Sequence, residues 1–510
     1  MTIPIKMVVR ANYTIGTPPP PEYTGTTTIS PSLEVQVLPT NNTWVKSNIT
    51  IEPMNQYTGV IEFTPTDDLQ TVATAGTYLT EDISILPIPP HVPPEVPNDS
   101  IIFYSRAPFQ LYPANQQANW DGTIWYSTDA STWTIWNGTA ITAAALKKWY
   151  VLYLRGQDNH VLTGAYSTEN EIVLSPYRWT LQNDGELITC KGNLYNLINN
   201  ENEPMQNGGL SYLFSFNTNL DCDIVLPNAM AEDLYAGMFM NCTALIHAPA
   251  LTHVTVSRNA YNSMFKNCMN LRTPPIMQSR TIGYRACASM FSGCTQLTTT
   301  PNLSTITILD YASFEYAFYN CYNLTTITAF PSITEASPYC YRNMFQNCYS
   351  LIEAPNLIAT TVNDSSYQFM FSHCTALFHS PESAATTLGI YCYSYMFEYC
   401  TSLLTPMSLP ATTLLDYCYE GMYSGCTSLN TLPQLTISVA SMGSCTRMFA
   451  ECSSIQLSEE STPIYTQPYQ INCADSDIGS FDGMFEDTGG TFQDSPEPNI
   501  TYYTSNAIKN

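Results

Sequence analysis

The seventeen cysteines of this chain are its clearest candidates for chemistry, because thiolates bind metals, form disulfides and act as nucleophiles. Nine of them recur every 26 or 27 residues, and a phenylalanine or tyrosine stands three positions before each. Cys340, Cys392 and Cys418 fall in a second column beside the first. No C-x-x-C pair occurs. The spacing therefore predicts small buried thiols that pack a repeated core, with disulfide or metal use as the alternative.

The repeat that positions these cysteines has the phrase Phe-x-x-Cys-x-x-Leu. With Met238 as position 0, apolar residues stand at −3, 0, +1, +4 and +7, which predicts a short amphipathic helix. A proline at +11 and a threonine-rich stretch beyond it predict a turn and a short strand. The predicted core residues are Phe239, Cys242, Phe265, Cys268, Phe291, Cys294, Phe318, Cys321, Phe345, Cys348, Phe371, Cys374, Phe397, Cys400, Cys426, Phe449 and Cys452.

The segment Tyr316–Leu324 resembles the AFxxCxxL signature of BspA-type leucine-rich repeats. The resemblance covers residues 206–456. It implies a solenoid in which each unit buries its apolar face against its neighbours. It also implies adhesion and recognition of protein or glycan, and no catalysis.

The array has recognisable ends. Leu213 and Phe214, followed by Asn217 in place of cysteine, predict a degenerate first copy, and Met484-Phe485 predicts a degenerate last copy. Residues 457–510 hold nine acidic residues against one lysine, which suits a cap, because terminal repeats need a polar outer face. Gly489–Phe492 is predicted to make the final turn.

A shorter repeat with an offset of 34 residues lies near the start of the chain, where Trp44 and Ile49 correspond to Tyr78 and Ile83. It predicts two small β modules, which are too short to fold well alone and are expected to stack or to assemble between chains. The phrase Thr74–Ile88 resembles short repeats of bacteriophage tail and head-fibre proteins. That resemblance implies a structural role in a phage particle.

Residues 99–205 hold six of the seven tryptophans. Ile124–Ser127, Trp133–Trp136 and Trp149–Leu154 are typical of strands, and Asn137-Gly138 predicts a hairpin turn. The tryptophans predict the core of a small β-sandwich, and exposed platforms for sugar rings remain the alternative.

The fold class is therefore predicted to be multidomain, with small all-β modules, a β-sandwich-like middle domain and a C-terminal α/β leucine-rich-repeat solenoid. The predicted parts are an N-terminal peg (1–24), β repeat 1 (25–58), β repeat 2 (59–90), a proline-rich linker (91–98), a tryptophan-rich β domain (99–205), the solenoid (206–456) and a C-terminal cap (457–510).

The formal charge of −25 argues against nucleic acid and anionic membrane as partners. Met1–Arg10 lacks the apolar region of a signal peptide, and no run of eighteen apolar residues occurs, so neither export by the common route nor membrane insertion is expected. No motif predicts a catalytic centre, a metal site or a cofactor. The histidine pairs His247/His253 and His373/His379 are predicted to be polar surface residues.

These observations predict a non-enzymatic surface protein of a bacteriophage virion, a head or tail fibre or decoration protein. Residues 1–98 are expected to bind other virion proteins, and residues 99–510 to contact host-surface glycan or protein. The resemblance to phage fibres implies a homo-oligomer, and a trimer is the expected form. The alternatives are a bacterial cell-surface adhesin and a polysaccharide-degrading tail protein with its active site in residues 99–205.

Overall fold

The computed structural model describes residues 93–163, 178–199 and 204–505, and the backbone of five strands nearer the N-terminus. The chain divides into two compact units, Met1–Pro93 and Pro94–Asn510. The boundary falls within the segment predicted as a proline-rich linker. The second unit contains both the tryptophan-rich segment and the repeats.

The N-terminal unit contains two small antiparallel sheets in its described residues. Its strands are β1 (Lys6–Ala11), β2 (Leu33–Leu38), β3 (Val45–Asn48), β4 (Val60–Phe63) and β5 (Gly76–Leu79). Strand β2 pairs with β1 and β3, and β4 pairs with β5. Strand β1 lies inside the predicted peg, so part of that segment belongs to a sheet. Trp44 and the stretch from Ile49 to Pro53 lie outside the described residues.

The tryptophan-rich segment forms two sheets around a shared core. Its elements are β6 (Ile101–Ser105), β7 (Gln110–Pro113), β8 (Thr123–Ser127), β9 (Thr134–Ile135), β10 (Ile141–Thr142), β11 (Ala144–Leu146), β12 (Trp149–Gln157), β13 (Trp179–Gln182), β14 (Ile188–Asn193) and the helix α1 (Tyr195–Ile198), followed by β15 (Leu220–Val225). One sheet has the order β10-β7-β13 and the other β15-β14-β6-β12-β8-β9, with β11 paired to β12. Strand β15 pairs in parallel with β14, so this sheet crosses the predicted domain boundary at residues 205 and 206.

The Asn137-Gly138 turn does not close a hairpin, and that prediction is wrong. Strand β9, before the turn, pairs with β8, whereas β10, after it, pairs with β7 in the other sheet. The turn therefore carries the chain from one sheet to the other. The reason is Trp136, which is buried between the sheets and whose indole Nε1 donates to the Thr139 carbonyl at 2.7 Å.

The repeats and the residues after them contribute short strands, most of which pair in parallel. The strands are β16 (Thr255–Val256), β17 (Thr281–Ile282), β18 (Ile308–Leu309), β19 (Glu335–Ala336), β20 (Thr361–Val362), β21 (Thr387–Leu388), β22 (Thr413–Leu414), β23 (Thr436–Ala440), β24 (Gln456–Ser458), β25 (Tyr465–Tyr469), β26 (Asn472–Ser476), β27 (Gly489–Gly490) and β28 (Tyr502–Ser505). The parallel ladders are β16-β17-β18, β19-β20-β21 and β22-β23-β26. In β16 and β20 the threonine faces outward and the following valine is buried, which is the alternation expected of a half-buried strand.

The segments predicted as helices are not helical, so the α/β form of the solenoid is a wrong prediction. Repeats 1 to 9 have their position 0 at residues 238, 264, 290, 317, 344, 370, 396, 422 and 448. From position −6 to +3 each repeat is a run of consecutive turns, called here the turn ribbon. Among the described residues α1 is the only α-helix.

Backbone hydrogen bonds explain why the turn ribbon replaces a helix. The Met238 amide donates to the carbonyl of Tyr235, three residues earlier, at 3.1 Å. The next amide, of Phe239, donates instead to the carbonyl of Met264 in the following repeat at 2.9 Å. This alternation continues along the ribbon, so every second amide bonds the neighbouring repeat. An α-helix would use those amides internally and leave the repeats joined by side chains alone.

Every fourth residue of the ribbon has a positive φ angle. In repeat 1 these residues are Asp233 at 55°, Gly237 at 58° and Asn241 at 62°, and positions −5, −1 and +3 are positive in the other repeats as well. Glycine and asparagine accept this conformation readily, whereas other residues pay about 1–2 kcal/mol. The left-handed residues reverse the curvature after each turn, and this keeps the ribbon flat enough to stack on its neighbours.

Two side-chain columns run through the stack. The rings at position +1 form a continuous series from Phe214 to Phe485, with neighbouring centroids 5.2–5.8 Å apart. Each cysteine Sγ at +4 donates to the +1 carbonyl of the preceding repeat at 3.0–3.2 Å. The Phe239 carbonyl, for example, accepts from the Cys242 amide and from the Cys268 thiol. A small donor is needed there, and cysteine supplies one that is otherwise apolar.

The ends of the columns use different residues. Asn217 occupies the cysteine position before repeat 1; its Oδ1 accepts from the Leu181 amide at 2.7 Å, and its Nδ2 donates to the Trp179 carbonyl at 2.8 Å. Thr488 occupies the position at the other end, where its hydroxyl donates to the Phe485 carbonyl at 2.9 Å. Gly489-Gly490 was predicted as part of a final turn, but it forms strand β27, which pairs in parallel with β24.

Replacing Cys348 by aspartate is expected to destabilise the array by about 3–5 kcal/mol, because a carboxylate would be buried without a cation. Thermal unfolding followed by circular dichroism measures the effect. Thr360→Asp, at an exposed threonine of the same repeat, is the matched control and should leave the melting temperature nearly unchanged. An unchanged melting temperature for C348D would show that the cysteine column is exposed to water.

Candidate interaction surfaces

The predicted core residues are buried. All seventeen cysteines are free and buried, and the column phenylalanines from Phe239 to Phe449 are at most 1% exposed. Burial raises the pKa of Cys242 and of Cys294 to about 12, so these thiols stay protonated at neutral pH. Within residues 93–163, 178–199 and 204–505, no three His, Cys, Asp or Glu side chains meet in an arrangement that could hold a metal ion.

The histidines flanking repeat 1 differ from each other. His247 is exposed, and its Nδ1 lies 2.8 Å from the buried Asp221 carboxylate. His253 is buried, so its predicted surface position is wrong. Its Nδ1 accepts from the Tyr261 hydroxyl at 2.6 Å, and its Nε2 donates to the Pro227 carbonyl at 3.1 Å, which fixes a neutral tautomer. Burial lowers the pKa of His253, despite the opposing effect of the backbone carbonyls.

Three tryptophans continue the aromatic core of the repeats. Trp136 and Trp179 are buried, with ring centroids 5.2 Å apart, and Trp120 packs on Trp136 at 4.7 Å. Trp179 also contacts Phe214, the first ring of the phenylalanine column, at 6.2 Å. The tryptophan-rich sheets and the repeats therefore share one continuous core.

Two further tryptophans lie on the other face of the larger sheet. Trp133 and Trp149 pack around a separate small cluster that includes Tyr104 and Tyr153. The Arg106 guanidinium lies 3.8 Å from the centre of the Trp149 ring. That ring face is therefore occupied, which limits its use as a sugar platform.

An exposed neutral strip follows the turn ribbon at positions +5, +6 and +8, called here the loop edge. It contains Tyr322, Tyr349, Ile352 and Phe378, whose side chains are 39–52% exposed. The two tyrosine rings stack at 5.2 Å with an interplanar angle of 14°. The Phe378 amide donates to the Ile352 carbonyl at 3.1 Å, which holds these residues one repeat apart. In repeats 1 to 9 these three positions carry one charged residue, Arg272, and are otherwise apolar or uncharged polar.

The outer side of the stacked turn ribbons, positions −6 to +3 of the repeats, is called here the turn face. It carries a second set of aromatic ladders. Tyr284 stacks on Tyr311 at 5.2 Å in repeats 3 and 4, and Phe369 stacks on Tyr395 at 5.2 Å in repeats 6 and 7. The Tyr395 ring also lies against Gly421, where a Cβ atom would come within 2.2 Å of the ring. Glycine there allows the ladder to close tightly against the next repeat.

Several ionisable groups of the turn face are held by specific partners. Glu315 is buried, and the guanidinium groups of Arg285 and Arg342 both contact its carboxylate. Farther along, the Ser372 hydroxyl donates to Glu398 at 3.0 Å. Burial raises the pKa of Glu398 and of Glu420, although the Ser372 and Ser394 hydroxyls partly oppose that rise.

Fold and surfaces together define a stack of short repeats, and no helix of the described residues is long and apolar enough to cross a bilayer. Residues 210–316 and 290–396 match the family described as BspA type leucine-rich repeat region, in six copies. The T. pallidum leucine-rich repeat protein (TpLRR) is 19% identical over 46% of this chain and 77% of its own, with a TM-score of 0.23, too low to support an argument. None of the curated proteins compared with the chain matches it.

The lowered pKa of His253 predicts a specific loss of stability in mild acid. Unfolding lets this histidine take up a proton at its ordinary pKa near 6.5, while the folded state resists protonation. The free energy of unfolding should therefore fall as the pH drops below about 6.5. His253→Gln keeps a donor for the Pro227 carbonyl and should flatten that decline, as measured by urea unfolding at a series of pH values. His379→Gln, at an exposed position, is the control and should leave the slope unchanged. Identical slopes in H253Q and the wild type would refute this assignment.

Proposed function

We propose that this protein is a non-enzymatic adhesion protein whose loop edge binds glycan or protein on a host surface. The observation that carries the proposal is the exposed strip of Tyr322, Tyr349, Ile352 and Phe378 on a stack of regularly spaced repeats. Contiguous exposed apolar side chains of this kind commonly mark a binding surface. The match of residues 210–396 to BspA-type repeats supports the same class of function.

The chemistry of the loop edge suits an uncharged ligand. Threonine, serine, asparagine and glutamine occupy most of its remaining positions and supply hydroxyl and amide groups, which hydrogen-bond sugars or peptide backbones. Tyrosine contributes a large contact area together with a hydroxyl group. The regular repeat spacing presents these groups in rows, which suits a ligand with a repeating backbone such as a polymeric glycan or an extended chain.

We further propose that residues 1–98 attach the protein to other proteins of a bacteriophage virion, so that the repeats are displayed on the particle surface. The resemblance of residues 74–88 to phage fibre repeats supports this attachment. Six prolines between residues 87 and 97 also favour an extended spacer between an anchor and a displayed part.

Truncating the loop edge should weaken adhesion. Tyr349→Ala and Phe378→Ala are each expected to reduce the affinity of the full chain for host cells about tenfold, because each removes a central aromatic contact. Binding of the labelled protein to host cells and to a glycan array measures the effect. Ile308→Ala, at an exposed apolar residue on strand β18, is the matched control. Equal affinities for all three variants and the wild type would place adhesion elsewhere.

Removing the N-terminal unit should abolish attachment without affecting adhesion. A shortened chain of residues 94–510 is expected to bind host cells as the full chain does, because the loop edge lies wholly within the second unit. It should be lost from purified particles in a co-sedimentation assay. Retention of the shortened chain on particles would refute the docking role of residues 1–98.

A further inference from the structure

Charge is distributed unevenly along the repeats. Residues 251–350 contain six arginine and lysine residues against three aspartate and glutamate residues, a net charge of +3. Residues 351–505 contain one arginine against sixteen acidic residues, a net charge of −15. The sign changes between repeats 5 and 6, which is the midpoint of repeats 2 to 9.

The turn face carries this change of sign. In repeats 2 to 5, ribbon positions −6 to +3 hold four cations and one acid, the buried Glu315, which Arg285 and Arg342 share. Arg258 is exposed, with its guanidinium 4.7 Å from the centre of the Tyr284 ring, and Lys266 is half-exposed. In repeats 6 to 9 the same positions hold one cation against five acids, namely Arg447 against Asp364, Glu398, Asp416, Glu420 and Glu451.

We propose that the turn face is an interface between two copies of this chain, packed antiparallel about a two-fold axis between repeats 5 and 6. That axis places the basic repeats 2 to 5 of each copy opposite the acidic repeats 6 to 9 of the other. A two-fold interface uses the same patch on both copies, so a single self-complementary surface is sufficient. The turn face has that property because its two halves carry opposite charge.

The resemblance to phage fibres suggests a trimer. The charge pattern argues against a trimer in which the turn faces of the three copies meet. A symmetry axis parallel to the stack would place equal repeats of each copy at the same height. Basic repeats would then face basic repeats, and the acidic repeats of all copies would repel one another. Salt screens charges over about 8 Å, so the charges that face each other matter more than the net charge of −25.

The uncharged side chains of the turn face also suit an interface. Aromatic ladders occur on both sides of the proposed axis: Tyr284 and Tyr311 in repeats 3 and 4, and Tyr391 and Tyr417 in repeats 7 and 8, the latter pair at 4.9 Å. Tyrosine and arginine are enriched in protein–protein interfaces, where they supply contact area and directed hydrogen bonds. The turn face combines the two around a change of charge.

A charge-swap experiment on the full chain tests this pairing. The acidic-faced variant carries Arg258→Glu and Lys266→Glu, and the basic-faced variant carries Asp416→Lys and Glu451→Lys. Arg285, Arg342 and Glu315 are left intact, because their shared carboxylate is buried within the fold. The basic-faced variant does break the more exposed pair of Glu451 with Arg447, whose charged atoms lie 3.6 Å apart. The control variant carries Arg280→Glu and Glu382→Lys, two exposed residues outside the turn ribbon. Sedimentation equilibrium measures the mass of each protein at low salt, about 0.15 M, and at high salt, about 1 M, and circular dichroism checks folding.

The wild type and the control variant should sediment at low salt with twice the mass that they have at high salt. Each swapped variant alone should lose this doubling, and an equimolar mixture of the two should regain it. The proposal is overturned if the wild-type mass does not change with salt, if either swapped variant still doubles, if the control loses the doubling, or if the mixture fails to restore it. Host-cell binding by the swapped variants reports on the loop edge separately, so failure of the pairing and failure of the proposed adhesion can be distinguished.

Discussion

The hydrogen bond between the amide of one repeat and the carbonyl of the next is the interaction on which the array depends. Every second amide of the turn ribbon makes this bond, as Phe239 does to Met264, so a repeat cannot satisfy its backbone alone. The side-chain columns follow from it. Rings at position +1 stack and thiols at +4 reach the preceding carbonyl because the backbone fixes one repeat directly above another.

The period and the buried columns could be predicted from the sequence, because nine copies place Phe, Cys and Leu at the same positions. The helix could not, because apolar spacings of three and four residues are common to a helix and to a ribbon whose conformation repeats every four residues. One sequence signal does distinguish the helix from the ribbon. Asn241 and Asn267 stand at position +3 with Gly293 after them, and asparagine and glycine alternating at one position indicate a left-handed residue.

The surfaces were less accessible to sequence reasoning than the core. Tyr322 and Tyr349 become one strip with Phe378 only after positions +5 and +8 are known to share an exposed edge. The change of charge between residues 350 and 351 is visible in the sequence, but it gains meaning once Arg258 and Asp416 are placed on the same face. The burial of His253 could not be predicted, because its local sequence gives no sign of the Tyr261 hydroxyl. That hydroxyl lies in the following repeat and bonds the His253 ring.

The parallel pairing of β15 with β14 has a consequence for how the molecule is made. The tryptophan-rich sheets leave the ribosome before the repeats and offer a finished edge, together with Asn217 and the Phe214 ring, on which repeat 1 can assemble. Each later repeat then meets a predecessor that has already been translated, because the array is translated in the order in which it stacks. When repeats are added in order to a folded edge, the unpaired strand edges of the nascent chain are exposed only until the next repeat is translated.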